Sequence, residues 1–244
     1  PMDALLIRER YKVVQVLETR ENYAFAEAVD ILDREKNSYL LNIYEGPLLR
    51  IYLPCFDQLR TCPDFQGVFL EGESLVAVFR YRTGTPIDQV FYRGDKHDWS
   101  SRLEYAQQLL HQVLNMADLP HQVSCAALLS ENVLINENSQ ALSLRFQVAP
   151  MEEMNGRELV YLACDQLYKI LLPRFSTPLA QLELLDQLDE GTCTTAVQLY
   201  SLWREREPEL RAAYEALEKK NFFRRWCSLA WGRVKRRFAK RKRR

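Results

Sequence analysis

Leu128-Leu129-Ser130-Glu131-Asn132-Val133-Leu134-Ile135-Asn136-Glu137-Asn138 is the stretch on which the fold turns. Val133-Leu134-Ile135 is a short apolar run with two β-branched residues, and Ala141-Leu142-Ser143-Leu144 is a second such run. Asn136-Glu137-Asn138-Ser139 between them supplies turn chemistry, so the pair predicts a hairpin. On both sides of this pair the period becomes helical. Upstream, a helix is expected from near Ser101, with Glu104 three residues on as a capping box. Its apolar stripe is Leu103, Ala106, Leu110, Val113 and Leu114. Downstream, Asn155 and Glu158 cap a helix carrying Leu159, Leu162, Ala163, Leu167, Ile170 and Leu171. Two or three further helices are expected from about Leu179 to Leu217.

The first eighty residues follow a different period. Tyr11 to Leu17, Phe25 to Ile31 and Ser38 to Tyr44 are β-branched or alternating runs, with the polar cluster Asp33-Arg34-Glu35-Lys36-Asn37 before the third. They predict a three-strand antiparallel meander. A helix over Leu48 to Leu59 follows, which Pro54 should kink or end. Phe65 to Leu70 and Ser74 to Tyr81 then form two more strands around Glu71-Gly72-Glu73. Arg82-Thr83-Gly84-Thr85-Pro86 breaks the strand pattern. The expectation is α+β: five antiparallel strands, then a mainly helical half that holds one small hairpin.

That order of elements resembles the protein kinase fold over about residues 8 to 205. The segment Glu131-Asn132-Val133-Leu134-Ile135 and its turn are similar to the end of the kinase catalytic loop and the strand after it. The resemblance implies two lobes, a five-stranded lobe at 8–81 and a reduced helical lobe at 82–218. It also implies that nearly every catalytic group of the family is missing. The glycine positions of the phosphate-covering turn carry Glu18, Arg20 and Tyr23, whereas kinases need bare backbone there. Asn42 stands at the strand lysine. The glutamate that pairs with that lysine has no counterpart, since Leu48 to Leu59 offers only Asp57. The catalytic base position is Ala127 within Cys125-Ala126-Ala127. Arg145-Phe146-Gln147 stands where the family has its metal-binding Asp-Phe-Gly, so a cation replaces a metal-holding carboxylate. Asn132, the family's second metal ligand, is the one position retained. One amide does not hold a divalent ion without a carboxylate.

Spacing argues the same way. Eight residues separate Gln147 from Gly156, where kinases build a long platform for peptide substrate. Phosphoryl transfer is positioning and charge neutralisation, so losing lysine, base and metal ligand together removes the route to it. The resemblance is therefore to a catalytically inactive, pseudokinase member of the family, with no cofactor. ATP is not an expected partner, because the body is acidic and the phosphate turn has lost its glycines.

Composition adds a separate signal. The 244 residues hold 33 Lys or Arg and 33 Asp or Glu, a formal net charge of zero. Thirteen of the bases lie in residues 219–244 with no acid among them, leaving 20 bases against 33 acids, a balance of −13, in the rest. An acidic body with a basic tail points to an anionic surface as partner. The tail patterns as an amphipathic helix: Phe223, Trp226, Cys227, Ala230, Val234 and Phe238 recur along one face, widened by Phe222, Leu229 and Trp231. Aromatics beside dense positive charge suit the interface of an anionic bilayer. The residues expected to touch it are Phe222, Phe223, Trp226, Trp231, Arg233, Lys235, Arg236, Arg237, Phe238, Lys240, Arg241 and Lys242. The alternative is that the aromatics pack back on the helical half and the charges are merely solvated. Lys240 to Arg244 also resembles the cytoplasmic flank of a membrane-spanning helix, which would follow in a longer parent chain.

The six cysteines fall singly, and His97, His111 and His121 share no metal-ligand spacing. Free buried thiols and a reducing, cytoplasmic setting are expected. The start, Pro1-Met2-Asp3-Ala4, has no secretory pattern, and Pro1 reads as an expression scar. The resulting expectation is a cytoplasmic pseudokinase, peripheral to the inner membrane face, acting as a scaffold or signalling module for an unidentified protein partner. Two rivals belong to other classes. One is a divergent active phosphotransferase, with Asn132 and Asp57, Glu131 or Glu137 on a metal. The other is a nucleic-acid adaptor working through the tail, which the −13 of the body disfavours.

Overall fold

The computed structural model describes residues 5–242; the start Pro1 to Ala4 and the last two tail bases, Arg243 and Arg244, lie outside them. The first half is built on one antiparallel sheet. Its strands are β1 (Leu6–Ile7), β2 (Tyr11–Arg20), β3 (Tyr23–Asp30), β4 (Ser38–Tyr44), β5 (Phe65–Glu71) and β6 (Ser74–Arg80), in the order β1-β2-β3-β4-β6-β5. The expected five strands are therefore six. The extra one is two residues long, pairs Leu6 with Lys12 and Ile7 with Tyr11, and is too short to leave a periodic signature. Two register shifts in the β2–β3 ladder mark bulges, which increase local twist.

Helix α1 (Pro47–Asp57) joins β4 to β5 and runs through Pro54 rather than ending at it. Pro54 and Arg50, the residue whose carbonyl loses its donor, both lie on the exposed side, so water can serve that carbonyl. Tyr52, Cys55 and Phe56 point inward. The aromatic rings of Tyr44, Tyr52, Phe56 and Phe79 stack or cross at 4.4–6.2 Å, an arrangement that adds to area burial. A smaller cluster of Ile7, Tyr11, Ala28, Leu41, Val76 and Val78 covers the opposite sheet face.

Beyond β6 the chain is mainly helical. A second sheet contains β7 (Thr85–Pro86), β8 (Val133–Asn136) and β9 (Ala141–Leu144). The expected hairpin is present with Val133 opposite Leu144 and Asn136 opposite Ala141. The segment read as a strand breaker contributes β7, which pairs with β8. Gly84 permits this approach: a Cβ there would lie 2.9 Å from the Leu134 Cβ. Short helices α2 (Ile87–Val90) and α4 (His121–Ala127) were not legible; each spans at most two turns.

Helix α3 (Trp99–Asn115) begins before Ser101, and its cap is Asp98, whose side chain accepts from the Ser101 amide at 2.7 Å. Asp98 caps better than a serine inside the first turn because its carboxylate also meets the positive helix end. For α5 (Gly156–Ile170) the expected capping box of Asn155 and Glu158 is present. Helices α6 (Leu179–Asp189) and α7 (Ala196–Glu218) follow, and α8 (Phe222–Lys242) is the tail. One continuous buried cluster links the sheet side, from Phe25, Tyr44 and Phe79, to helical residues such as Leu109, Leu167 and Trp203.

Candidate functional site

Two places concentrate polar chemistry: the seam between β4 and the chain leaving β9, and helix α8. The seam starts from strand parity. Asn42 and Tyr44 are two apart on β4 and point to one face, toward residues 146–148. Asn42 is fully buried. Its Nδ2 donates to the Phe146 carbonyl at 2.9 Å, and its Oδ1 accepts from the Val148 amide at 2.8 Å and the Tyr23 hydroxyl at 2.9 Å. The Tyr44 hydroxyl donates to the Val148 carbonyl at 2.6 Å, and the Tyr52 hydroxyl accepts from the Met151 amide at 3.3 Å. Backbone of the second half is thus satisfied by side chains of the first, as buried peptide groups require. Burial pushes the Tyr23 and Tyr44 hydroxyls well above the usual phenol range, so both remain neutral donors.

Asn132 sits at the other side of the same seam. Its Nδ2 donates to the Ala126 carbonyl at 2.8 Å, and its Oδ1 accepts from Arg145 Nε at 3.1 Å. Arg145 also donates to Gln147 Oε1 at 3.1 Å and lies 5.9 Å from the Phe25 ring centre. Burial pulls the Arg145 guanidinium down, opposed by Glu131 and by the Tyr81 and Tyr23 hydroxyls. Gln147 in turn donates to Glu18, which pairs with Arg20. Glu18, Gln147, Arg145 and Asn132 form one polar chain from the β2–β3 hairpin into the helical half. Phe146, between them, is 5% exposed and stacks on Phe79 at 5.1 Å. Ala127 is a buried methyl at the end of α4.

The carboxylates named for a metal site stand elsewhere. Asp57 is exposed at the end of α1, Glu131 is exposed, and Glu137 hydrogen-bonds His97 at 2.6 Å on the hairpin turn. What meets Asn132 Oδ1 is a guanidinium. Among the described residues no group of three or more His, Cys, Asp or Glu could hold a metal ion. The cysteines are free, and burial pushes the Cys125 thiol up to about 12.

Helix α8 divides the residues expected at a membrane into two sets. It packs against the body through Leu229 and Gly232, both buried, with the Gly232 Cβ position 3.3 Å from Leu179. Arg236 and Lys240 on the same side pair with Asp186 at 2.7 and 2.8 Å, and Arg233 donates to the Arg174 and Phe175 carbonyls at 3.0 Å. The Arg236 hydrogen bond is the main cause holding the Asp186 carboxyl below its ordinary value. Phe222, Phe223, Trp226, Trp231 and Phe238 are 49–86% exposed. Lys235, Arg237, Arg241 and Lys242 are exposed beside them. The alternative of packed aromatics does not hold for these five aromatic side chains, which face out. Arg233, Arg236 and Lys240 engage the body, while the other α8 bases named above are solvated. Leu229, read as part of the outward face, belongs to the docked one. No helix among the described residues is long and apolar enough to cross a membrane.

Sequence reading missed the two tyrosines that complete the seam, Tyr44 and Tyr52, because an inward tyrosine looks like core until its hydroxyl partner is known. Compared with protein-family models and with curated proteins, the chain matches none.

Proposed function

We propose that this chain is a catalytically inactive domain of protein-kinase-like, two-lobed architecture that works by binding, held by α8 at an anionic membrane surface on the cytoplasmic side. The observation that carries the membrane part is the orientation of α8. A helix that docks through Gly232, Leu229 and three cations while leaving five large aromatics outward presents an amphipathic face to something other than its own body. An exposed apolar stripe of that kind, flanked by Lys and Arg, matches the chemistry of a headgroup layer.

The inactive part rests on the seam. Residues that a kinase would aim at nucleotide and metal here hydrogen-bond to each other and to backbone, with Arg145 on the Asn132 oxygen. A nucleotide would have to break those bonds and expel a guanidinium to reach the same positions. The domain then serves as a scaffold or signalling module whose partner is a protein engaged near the membrane.

Two measurements test the reading. Millimolar Mg²⁺-ATP should leave the melting temperature unchanged, since only a ligand held by the folded state raises stability; a saturable rise of several degrees sinks the inactive reading. The intact protein should co-sediment with anionic liposomes at low salt, and a version ending at Glu218 should not. Absence of co-sedimentation defeats the membrane reading, and equal binding to duplex DNA moves the tail to the nucleic-acid class.

A further inference from the structure

Docking of α8 forms an open cavity of about 740 Å³ against the loop between α5 and α6. Its lining holds Arg93, Arg174, Arg233, Arg236, Arg237 and Lys240 together with the apolar Pro173, Phe175 and Leu182, with no acid in the lining. The four α8 residues follow i, i+3, i+4, i+7 spacing, which places them along one side of the helix. Packing six cations around one space is unfavourable unless carboxylates or a bound anion offset the charge. Carboxylates do so only partly. Asp186 serves both Arg236 and Lys240, at 2.7 and 2.8 Å, and Asp95 serves both Arg174 and Arg102, at 2.7 and 2.5 Å. Each carboxylate therefore leaves a positive charge over. The side chains of Arg93 and Arg237 have no hydrogen-bond or ion-pair partner among the described residues. Arg174 Nε is a buried donor with no partner, although the same guanidinium is fixed by Asp95. Arg233 is oriented by the Arg174 and Phe175 carbonyls and lies 4.5 Å over the Phe175 ring.

Preset guanidiniums with unused donors, in a concave site of ligand-pocket size, are the arrangement that takes phosphate oxygens in pairs. We infer that the cavity between α8 and the α5–α6 loop is a binding site for a phosphate-bearing polyanion, either a phosphomonoester lipid headgroup or a free polyphosphate. The site needs α8 docked but not the membrane reading, because a soluble anion can fill it with no bilayer present.

The test uses the full chain and inorganic pyrophosphate as probe, titrated calorimetrically at about 0.15 M salt, where diffuse surface attraction is screened. The parent should bind one pyrophosphate saturably. Arg93→Glu with Arg237→Glu should weaken it by at least about tenfold, the loss of one charge-assisted contact or more. Lys235→Glu with Arg241→Glu makes the same charge change on α8 outside the lining and should stay within about twofold. None of the four side chains has a hydrogen-bond or ion-pair partner among the described residues, so both variants should melt with the parent; Arg93→Gln with Arg237→Gln serves in place of the first if it does not. Vesicles carrying phosphatidic acid, compared with phosphatidylglycerol vesicles of equal surface charge, separate the sources. A preference for phosphatidic acid that the first pair abolishes assigns a lipid headgroup, and pyrophosphate binding without that preference assigns a free anion. No saturable binding by the parent, or equal weakening in both double variants, overturns the site. Failure on liposomes alone, with pyrophosphate binding intact, removes only the membrane reading.

Discussion

The seam around Asn42 and the surface of α8 handle polar groups in opposite ways. At the seam, each of Asn42, Asn132 and Arg145 donates or accepts within the chain, in a buried place where an unmet partner is costly. On α8 the charges outnumber their carboxylates and large aromatics stand in water. A closed network fixes a structure, whereas surplus charge beside exposed apolar surface favours a partner. The difference puts surplus positive charge and exposed aromatic surface on the tail side, whereas the polar groups around Asn42 are taken up within the chain.

The largest effect is expected at Phe146. Truncation to alanine removes a buried ring stacked on Phe79, and denaturant unfolding should show a loss of about 3–5 kcal/mol. A variant as stable as the parent would mean the two halves are not joined there. Asn42 comes next. Asn42→Ala strands the Val148 amide and leaves the Phe146 carbonyl without its donor, at about 3 kcal/mol in total. Asn42→Lys, the kinase residue, should be no better, since an ammonium cannot accept from Val148 or Tyr23 and is buried besides. If the lysine variant is stable and gains a melting shift with Mg²⁺-ATP, the seam is a cleft after all.

The opposite behaviour is expected on α8. Replacing Trp226, Trp231 and Phe238 with serine should leave unfolding unchanged within about 0.5 kcal/mol, as surface substitutions do. The same change should lower salt-resistant liposome binding by about thirtyfold, roughly 2 kcal/mol of lost apolar insertion. Binding at low salt should persist, because exposed charges act over about 8 Å at physiological ionic strength and further in dilute salt. If the triple variant instead loses stability, the aromatics belong to the body and the contrast fails.

Much of the scaffold was legible because its signals are local. The Val133 and Ala141 runs, the Asn155–Glu158 cap and the meander strands each carry their period or cap within a few residues. Helix α3 was misplaced at its start because Asp98 and Ser101 are both capping types, and only the Ser101 amide direction decides between them. That α1 continues past Pro54 rather than ending at it depends on the exposure of that side of the helix, which cannot be read from the sequence. The candidate site was legible by half. The resemblance names positions 42, 127, 132 and 145, but the contacts of Asn42 and Tyr44 with Val148 bridge more than a hundred residues and have no local signal. The cationic cavity was invisible for the same reason: Arg93 and Arg174 meet α8 only through the tertiary fold.

The smallest effect concerns how α8 is held, and it has a definite sign in pH. Asp186 takes its hydrogen bond from Arg236 and pairs with Lys240, and its carboxyl lies below the ordinary value while the Arg236 guanidinium is raised. A carboxyl depressed in the folded state contributes stability that is present above its unfolded value, near 3.8. That contribution fades as pH falls through the folded value, so the window lies below about pH 4. The side chains of Asp186, Arg236 and Lys240 are 14%, 28% and 57% exposed, so screening limits the sum to about 1 kcal/mol or less. Hydrogen exchange of the α8 amides, followed from pH 6 to pH 3 and corrected for intrinsic rates, should show protection falling only at the acid end. Asp186→Asn should lower protection slightly at neutral pH and flatten the profile. If the parent profile is already flat and Asp186→Asn changes nothing, the close contact of Gly232 with Leu179 holds the helix, and its cations are free for the anion they surround.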